Sequence, residues 1–415
     1  MLRVLVLSVL LACCAVDAAP ARVSVDTSLD LPWFSYEGDS HFEFGEALGK
    51  QFRVEINDRL RLSSQLQGVL LPFYATPLGK STYDKYLSAH NHTFPDYVEE
   101  LQGISAGSGV PFSTLFLINI VEEYGHSIPI PNAFESQLHC SDLVLHTSDV
   151  CVVGHNEDSG AGDVNRTALV TAKIKNNPWF TAFTYLGDLP TGAFGANQHG
   201  VAFSMNYVEP LDIDVGGLGR GFISRDLLGA TSHDDAVARI TRPGQASGHN
   251  FQLMDVPTAR VLNIEVASFN RTNIREITAG SAPFFHTNQY QSLLIRQPVF
   301  PSSYHRLRRY THVTPPSSVA SILALLGDQG DTSYPIFHDD KSHAKGELSN
   351  WTLITVLFDV KNGVLYLLRP RVNPGEARVA MVVDLLDVQH VKVLHTASEQ
   401  DLAKTNMLAT TKARS

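Results

Sequence analysis

The sequence predicts an α+β protein in which buried sheets are covered by helices. From residue 22 to about 135 the apolar residues recur with helical spacing. Beyond that the texture changes to short β-rich runs separated by turn residues. With 44% apolar residues in a chain of 415, there is ample material for a large core.

The elements follow in order. "MLRVLVLSVLLACCAVDAAPA" places Arg3 before an apolar run from Val4 to Val16 and then small residues, the pattern of a secretory signal peptide cut after Ala18. That run is too short to anchor in a bilayer, and no later one approaches ~18 residues, so no membrane span is expected. The expected location is extracellular, or lysosomal. Four N-x-[ST] sequons, at Asn91, Asn165, Asn270 and Asn350, fit glycosylation on that route.

From Ser40 to Leu60 the spacing predicts one helix, with a capping box at Ser40 and Glu43 and an apolar face of Phe44, Leu48, Phe52, Ile56 and Leu60. Two more helices are expected in "FPDYVEELQGISAGSG" and "VPFSTLFLINIVEEYG", separated by Gly103, Gly107 and Gly109, with Pro111 opening the second. Strands are read in "CSDLVLH", "VCVVGHN", "ALVTAKI", "WFTAFTYL", "GAFGANQHGVAFSMNY", "NFQLMD", "RVLNIEVA", "TLITVLFDV" and "GVLYLLRP". Two helical patches interrupt them, "FISRDLLGATSHDDAVARIT" and "SYHRLRRYTHV…SSVASILALLG". The expected division is a signal peptide at 1–18, a mostly helical segment at 19–139, a layered domain at 140–394 and a polar, disordered tail at 395–415.

A formal charge of −10 argues against a nucleic-acid partner. The basic "RLRRY" from Arg306 reads as a solvated helix face. "GGLGRG" at 216–221 lacks the Lys-Ser/Thr ending of a phosphate loop and reads as a turn.

Of four cysteines, Cys13 and Cys14 fall in the signal peptide, leaving Cys140 and Cys151 in "HCSDLVLHTSDVCVVGHNED". A disulfide, a metal site and a nucleophile are the alternatives. Read as a hairpin with Leu145 facing Val150, the stretch puts Cys140 opposite residue 155 and Cys151 opposite Val144. That register sets the sulfurs several residues apart and disfavours a disulfide unless the turn lies elsewhere. The metal alternative would draw on His139, Cys140, His146, Cys151 and His155, which the same register splits into two incomplete sets. No metal and no cofactor are therefore expected. The nucleophile reading gains, because "GHNED" returns beside Cys140 and brings His155, Asn156, Glu157 and Asp158 with it.

At this point the chain resembles the penicillin acyltransferase-like group of N-terminal nucleophile hydrolases, which includes β-alanyl-dopamine hydrolases and is related to acid ceramidases and bile-salt hydrolases. The resemblance runs from about Tyr97 to Leu368. It rests on "ELQGISAGSGVP…LINIVEE", a cysteine eighteen residues before the aspartate of "GHNED", "GANQHGVAFSMN", "FFHTNQY" and "SSYHR". It implies a four-layer αββα sandwich and a precursor that cuts itself between His139 and Cys140. It implies further that the Cys140 sulfur is the nucleophile and its freed α-amine the base, that Asp158 holds that amine, that Asn206 and Asn288 donate to the oxyanion, and that Arg306 lines the cleft. Two departures stand out: His139 replaces the glycine common before the cysteine, and His155 stands where relatives often carry Arg or Gln.

Without the resemblance, Asn206 and Asn288 would be turn or strand-end residues, Asp158 a turn opener and Arg306 helix surface. His199, His286, His305 and His312 read as surface or satisfied histidines. The expected function is a secreted, self-processing cysteine amidohydrolase acting on a small-molecule acyl amide through a thioester. Its alternatives are an acid-ceramidase-like lipid-amide hydrolase, an acyltransferase, or a non-catalytic binding protein on the same scaffold. Wild-type protein should run on a denaturing gel without reductant as two fragments, 19–139 and 140–415, that stay associated under native conditions. Cys140→Ala should remain one uncut chain and Cys151→Ala should be cut normally.

Overall fold

The structure is a computed structural model that describes residues 21–130, 140–190, 192–339 and 350–409. The expected signal peptide, His139 and the end of the tail lie outside the described residues. Two short strands open the chain, β1 (Arg22–Asp26) and β2 (Trp33–Gly38). A helical stretch follows: α1 (His41–Gln51), α2 (Arg53–Leu62), α3 (Leu71–Tyr74), α4 (Pro77–Thr93), α5 (Pro95–Ser108), α6 (Phe112–Asn119) and α7 (Val121–His126). Next come the hairpin β3 (Ser141–His146) and β4 (Cys151–Gly160), and the strands β5 (Thr167–Ile174), β6 (Phe180–Tyr185), β7 (Phe194–Asn197) and β8 (Val201–Tyr207). Helices α8 (Arg220–Leu227) and α9 (His233–Ile240) precede β9 (His249–Asp255), β10 (Arg260–Ala267), β11 (Arg271–Glu276) and β12 (Phe284–His286). The chain ends through α10 (Pro301–Tyr310), α11 (Val319–Leu326), β13 (Asn350–Asp359), β14 (Val364–Leu368), β15 (Val379–Asp384), β16 (Val391–Val393) and α12 (Ala397–Leu408).

Among the described residues the strands form two sheets, one of nine in the order β1-β2-β5-β6-β7-β8-β9-β10-β11 and one of seven in the order β12-β3-β4-β13-β14-β15-β16. Three buried apolar layers fix how they stack. Phe44, Leu48, Leu101 and Ile104 of the early helices pack on Phe34, Val170, Phe203 and Phe251 of the larger sheet. Phe183 and Phe194 on its other face meet Val153, Val356 and Phe358 of the smaller sheet. Leu143, Val152 and Leu357 on the far face of that sheet pack against Ile322, Leu326 and Met407 of the late helices. Helices, sheet, sheet and helices are the four αββα layers expected, and period-2 alternation along each strand is what lets both faces of both sheets be covered.

At one end the inter-sheet layer turns polar. Phe203 and Met205 of β8 face the helices, so Ser204 and Asn206 face the other sheet. Asn250, Gln252, Asn263 and Glu265 of β9 and β10 are likewise fully buried, on the strand faces opposite Phe251, Leu253 and Ile264.

Several elements differ from the sequence reading. The expected 40–60 helix breaks at Phe52 (φ −112°, ψ 30°) into α1 and α2, although Ser40 caps it as foreseen, accepting from the Glu43 backbone N–H at 3.2 Å. Gly103 and Gly107 lie inside α5, and the helix ends only at Gly109 in the left-handed region (φ +79°). The two inner glycines serve a close approach. A Cβ at Gly103 would lie 2.1 Å from the Phe42 carbonyl oxygen, and one at Gly107 2.3 Å from that of Glu46, while Gly45 of α1 meets the Glu100 carbonyl in the same way. Two helices thus touch backbone to backbone.

Strands β1 and β2 precede the helical segment and pair into the larger sheet, β2 running parallel to β5 with Phe34 beside Val170. The stretch expected to be a disordered tail holds α12: Thr396 and Glu399 form a capping box, and Met407 is buried against the outer helical layer. Of the sequon residues, Asn91, Asn165 and Asn270 are exposed. The side chain of Asn350 is outside those described. No described helix is long and apolar enough to cross a membrane.

Gly103→Val should lower stability by about 1–3 kcal/mol, the usual scale for overpacking, and denaturant unfolding with intact secondary structure at zero denaturant will measure it.

Candidate active site

The β3–β4 hairpin sets the geometry. Its register pairs Ser141 with Asn156, Leu145 with Val152 and His146 with Cys151. This corrects the expected register by two residues, so position 140 comes opposite Glu157, not His155, and Cys151 comes opposite His146. The cause is the turn: the Thr147 hydroxyl accepts from the backbone N–H groups of Asp149 and Val150, and Thr147 N–H donates to the Val150 carbonyl at 2.7 Å, which centres the turn one residue further along the chain. A shift of two keeps every side chain on its face. Both cysteines are free and buried, without a disulfide.

Cys140 Sγ donates to Glu157 Oε2 at 3.2 Å. The same oxygen lies 3.0 Å from His155 Nε2, and Glu157 Oε1 accepts from the Tyr185 hydroxyl. His155 Nδ1 lies 2.8 Å from Asp142 Oδ1, which also accepts from Ser204 Oγ of the opposite sheet at 2.8 Å. These polar groups form one linked set in the inter-sheet layer, all nearly inaccessible. Burial alone would strip the proton from His155, but the carboxylates of Asp142 and Glu157 raise it to about 10. Burial pushes the Cys140 thiol well above its usual range, and the charges of Glu157 and Asp158 add to this.

Asp158, the next residue of β4, points to the other face of the sheet. It is fully buried, and neither of its oxygens has a hydrogen-bond partner among the described residues. Burial raises it well above the ordinary carboxylate range, against the opposing pull of Arg306 and Thr352. On this side Arg306 is completely buried, in place of the solvated helix face read from "RLRRY". Its guanidinium donates to the Cys140 carbonyl, to Ser141 Oγ at 3.0 Å and to Asn288 Oδ1 at 2.7 Å. Because Arg306 can only donate, the Asn288 carboxamide oxygen must face it. The amide nitrogen then gives one hydrogen to the Tyr207 carbonyl at 3.0 Å and keeps one spare. Asn206 Nδ2 lies 3.3 Å from His286 Nδ1, whose Nε2 is 3.1 Å from Glu265 Oε1.

Cys140, Asp158, Asn288 and Arg306 are therefore linked around the start of β3, while Asn206 joins the polar inter-sheet layer. Cys140 Sγ, His155 and Glu157 offer three donor atoms within 4.8 Å of one another. Both nitrogens of His155 are already committed to carboxylates, so a cation there would first displace the proton between His155 and Glu157. Sequence reasoning brought Glu157 beside the sulfur without giving it a role, and did not single out Tyr185 or Asp142. Glu157 was legible in one respect, standing two residues beyond His155 on the same strand face.

Beside the cluster lies a cavity of about 380 Å³. Tyr185 forms the shared wall and Ser159, next to Asp158, also lines it. Glu122, Glu123, Asp163 and Asp188 face it against Arg59 and Arg220, four carboxylates to two guanidinium groups. Arg59 bridges two of the acids, at 2.7 Å to Asp163 and 2.6 Å to Asp188.

The raised pKa of His155 makes stability fall with rising pH. Between its ordinary 6.5 and about 10 the folded chain binds a proton that the unfolded chain does not, so the contribution is complete below 6.5 and lost as pH passes through 10. Melting temperature should drop by several degrees across that window, and His155→Gln should flatten the slope.

Residues 145–371, more than half of the chain, match the family described as acyl-coenzyme A:6-aminopenicillanic acid acyl-transferase. The beta-alanyl-dopamine/carcinine hydrolase of Drosophila melanogaster is 28% identical over 331 residues, spanning 74% of this chain and 85% of that relative. Among solved structures, the Caenorhabditis elegans N-acylethanolamine-hydrolyzing acid amidase ortholog aligns with a TM-score of 0.37 and 13% identity, over 53% of this chain and 93% of its own. A mutant of the conjugated bile acid hydrolase from Clostridium perfringens aligns with a TM-score of 0.38 and 12% identity, over 61% and 96%. The family match, running from the end of β3 to just beyond β14, makes this chain a member of the acyl-coenzyme A:6-aminopenicillanic acid acyl-transferase family, and so one of the enzymes that act on amide bonds.

Proposed function

We propose that the chain is a secreted cysteine amidohydrolase whose nucleophile, Cys140, becomes an N-terminal residue by self-cleavage after His139. The observation that carries this reading is Asp158: a buried carboxylate with two unpartnered oxygens, one residue beyond Glu157 on β4 and so beside the start of β3. A freed α-amine at Cys140 would add a hydrogen-bonding cation to the charge of Arg306, which by itself does not offset the burial of Asp158. Charge pairing would then return Asp158 to its ionised form and hold the amine beside the sulfur.

In the mature site the amine takes the thiol proton as sulfur attacks the substrate carbonyl. The spare hydrogen of Asn288 serves the resulting oxyanion, and Asn206 provides the second donor. The tetrahedral intermediate collapses to a thioester as the α-ammonium protonates the departing amine. Water then opens the thioester by the same route in reverse. Arg306 holds the Cys140 carbonyl and the Asn288 amide in register.

The acidic cavity favours a substrate bearing an ammonium group, since four carboxylates outnumber two fixed cations. The similarity to a hydrolase of β-alanyl amides points the same way, because a β-alanyl group carries such an ammonium. Exposed sequons at Asn91, Asn165 and Asn270 support passage through the secretory route.

Hydrolysis of a β-alanyl amine and of its neutral propionyl counterpart tests the reading. The cationic substrate should have at least a tenfold higher kcat/KM, and equal values would reject cationic recognition. Asn288→Ala should lower kcat by about 10²–10³, the scale for one oxyanion donor, with little change in KM. Unchanged turnover would remove Asn288 from the site.

A further inference from the structure

In the uncut chain the nitrogen of Cys140 is an amide and has no basicity, so the base of the mature enzyme does not yet exist when the first bond is broken. The thiol does not ionise by itself either, since burial and two neighbouring carboxylates hold its proton in place. An acceptor is needed during the attack. We propose that Glu157 is the general base of self-cleavage, a residue distinct from the one that the mature reaction uses. The proposal rests on the N-terminal-nucleophile reading above and adds a residue to its first step.

The geometry separates the two carboxylates. Glu157 Oε2 already accepts the thiol hydrogen at 3.2 Å, while Asp158, on the opposite face of β4, is grouped with Arg306 and Thr352. Glu157 is also held firmly in place in a dry layer. Its two oxygens receive three donors: the thiol, His155 Nε2 at 3.0 Å and the Tyr185 hydroxyl. His155 is itself fixed by Asp142, and Asp142 by Ser204 of the facing sheet. A carboxylate held by this many donors keeps a fixed direction toward sulfur and needs no reorganisation when the proton moves.

The proton and electron balance is simple. The thiol proton passes to Glu157 Oε2 as sulfur bonds to the His139 carbonyl carbon, and the carbonyl electron pair moves to its oxygen. That pair returns, the bond from carbon to the Cys140 nitrogen breaks, and the nitrogen takes its proton from Glu157 to become the α-amine. Water then attacks the thioester carbon. Sulfur leaves with its electron pair and is reprotonated, and His139 ends as a carboxylate. Glu157 finishes as it began, and from then on the amine takes over.

The test follows the full chain during cell-free synthesis, by time course on a denaturing gel. Glu157→Gln should slow the appearance of the two fragments by about 10²-fold or more, the usual scale for a general base, with the uncut chain folded by circular dichroism. Glu157→Asp should cut at an intermediate rate. Glu157→Ala should regain cutting as sodium formate is added, a response that a purely structural role would not produce. Wild-type-like cutting by Glu157→Gln would overturn the assignment of Glu157 while leaving the N-terminal-nucleophile reading intact. So would a folded Glu157→Ala chain that formate does not restore. A wild-type chain that never cuts would overturn both.

Discussion

The pairing of β3 with β4 is the constraint on which the site depends. One register decides that the residue opposite Cys140 is Glu157, and strand alternation then sends Glu157 to the inter-sheet side and Asp158 to the outer side. A slip of one residue would exchange the two carboxylates, bringing Asp158 to the thiol and turning Glu157 toward Arg306. The turn at Thr147 and the apolar side chains of Val144, Val152 and Val153 on their proper faces hold that register.

Burying this much charge is unfavourable unless every group is answered. On the inter-sheet side the charges around the thiol are paired: His155 sits between Asp142 and Glu157, and Ser204 and Tyr185 supply further donors, while Asp142 Oδ2 has no hydrogen-bond partner among the described residues. On the outer side Arg306 donates to Cys140, Ser141, Asn288 and Ser302, and the Asp158 oxygens have no hydrogen bond among the described residues. The two sides of one strand thus differ in degree: around Glu157 both oxygens are hydrogen-bonded, around Asp158 neither is. Unsatisfied groups of this sort concentrate at functional sites, where the imbalance is resolved by the chemistry itself.

Much of the fold was legible because strand alternation and helix periodicity are strong signals over long segments. Segments such as "GAFGANQHGVAFSMNY" fold as the hairpin of β7 and β8, with Gly200 at φ +72° in the turn. What escaped was decided by tertiary context. Gly103 and Gly107 look like helix breakers in sequence and are contact points in space, because only the position of α1 explains them. Strand β12 has three residues and exists by pairing with β3, which no local pattern announces. Arg306 in "RLRRY" is indistinguishable by composition from its exposed neighbours; the phase of α10 against β3 alone makes it the buried one. Glu157 was brought to the site by the sequence, but its place directly opposite Cys140 was missed through a two-residue error in register, set by a turn that a side-chain hydroxyl, not an apolar pattern, determines.

The parallel pairing of β2 with β5 means that the larger sheet is woven from chain on both sides of position 139. Before a cut at that point, the weave closes a loop within one molecule. After it, the same contacts hold two separate polymers, and the translational entropy that the peptide bond suppressed becomes available to the unfolded state. Refolding would then depend on concentration where first folding did not, and the processed molecule would persist through its slow unfolding rate. Such a protein has one opportunity to acquire its structure, during its synthesis as a single chain.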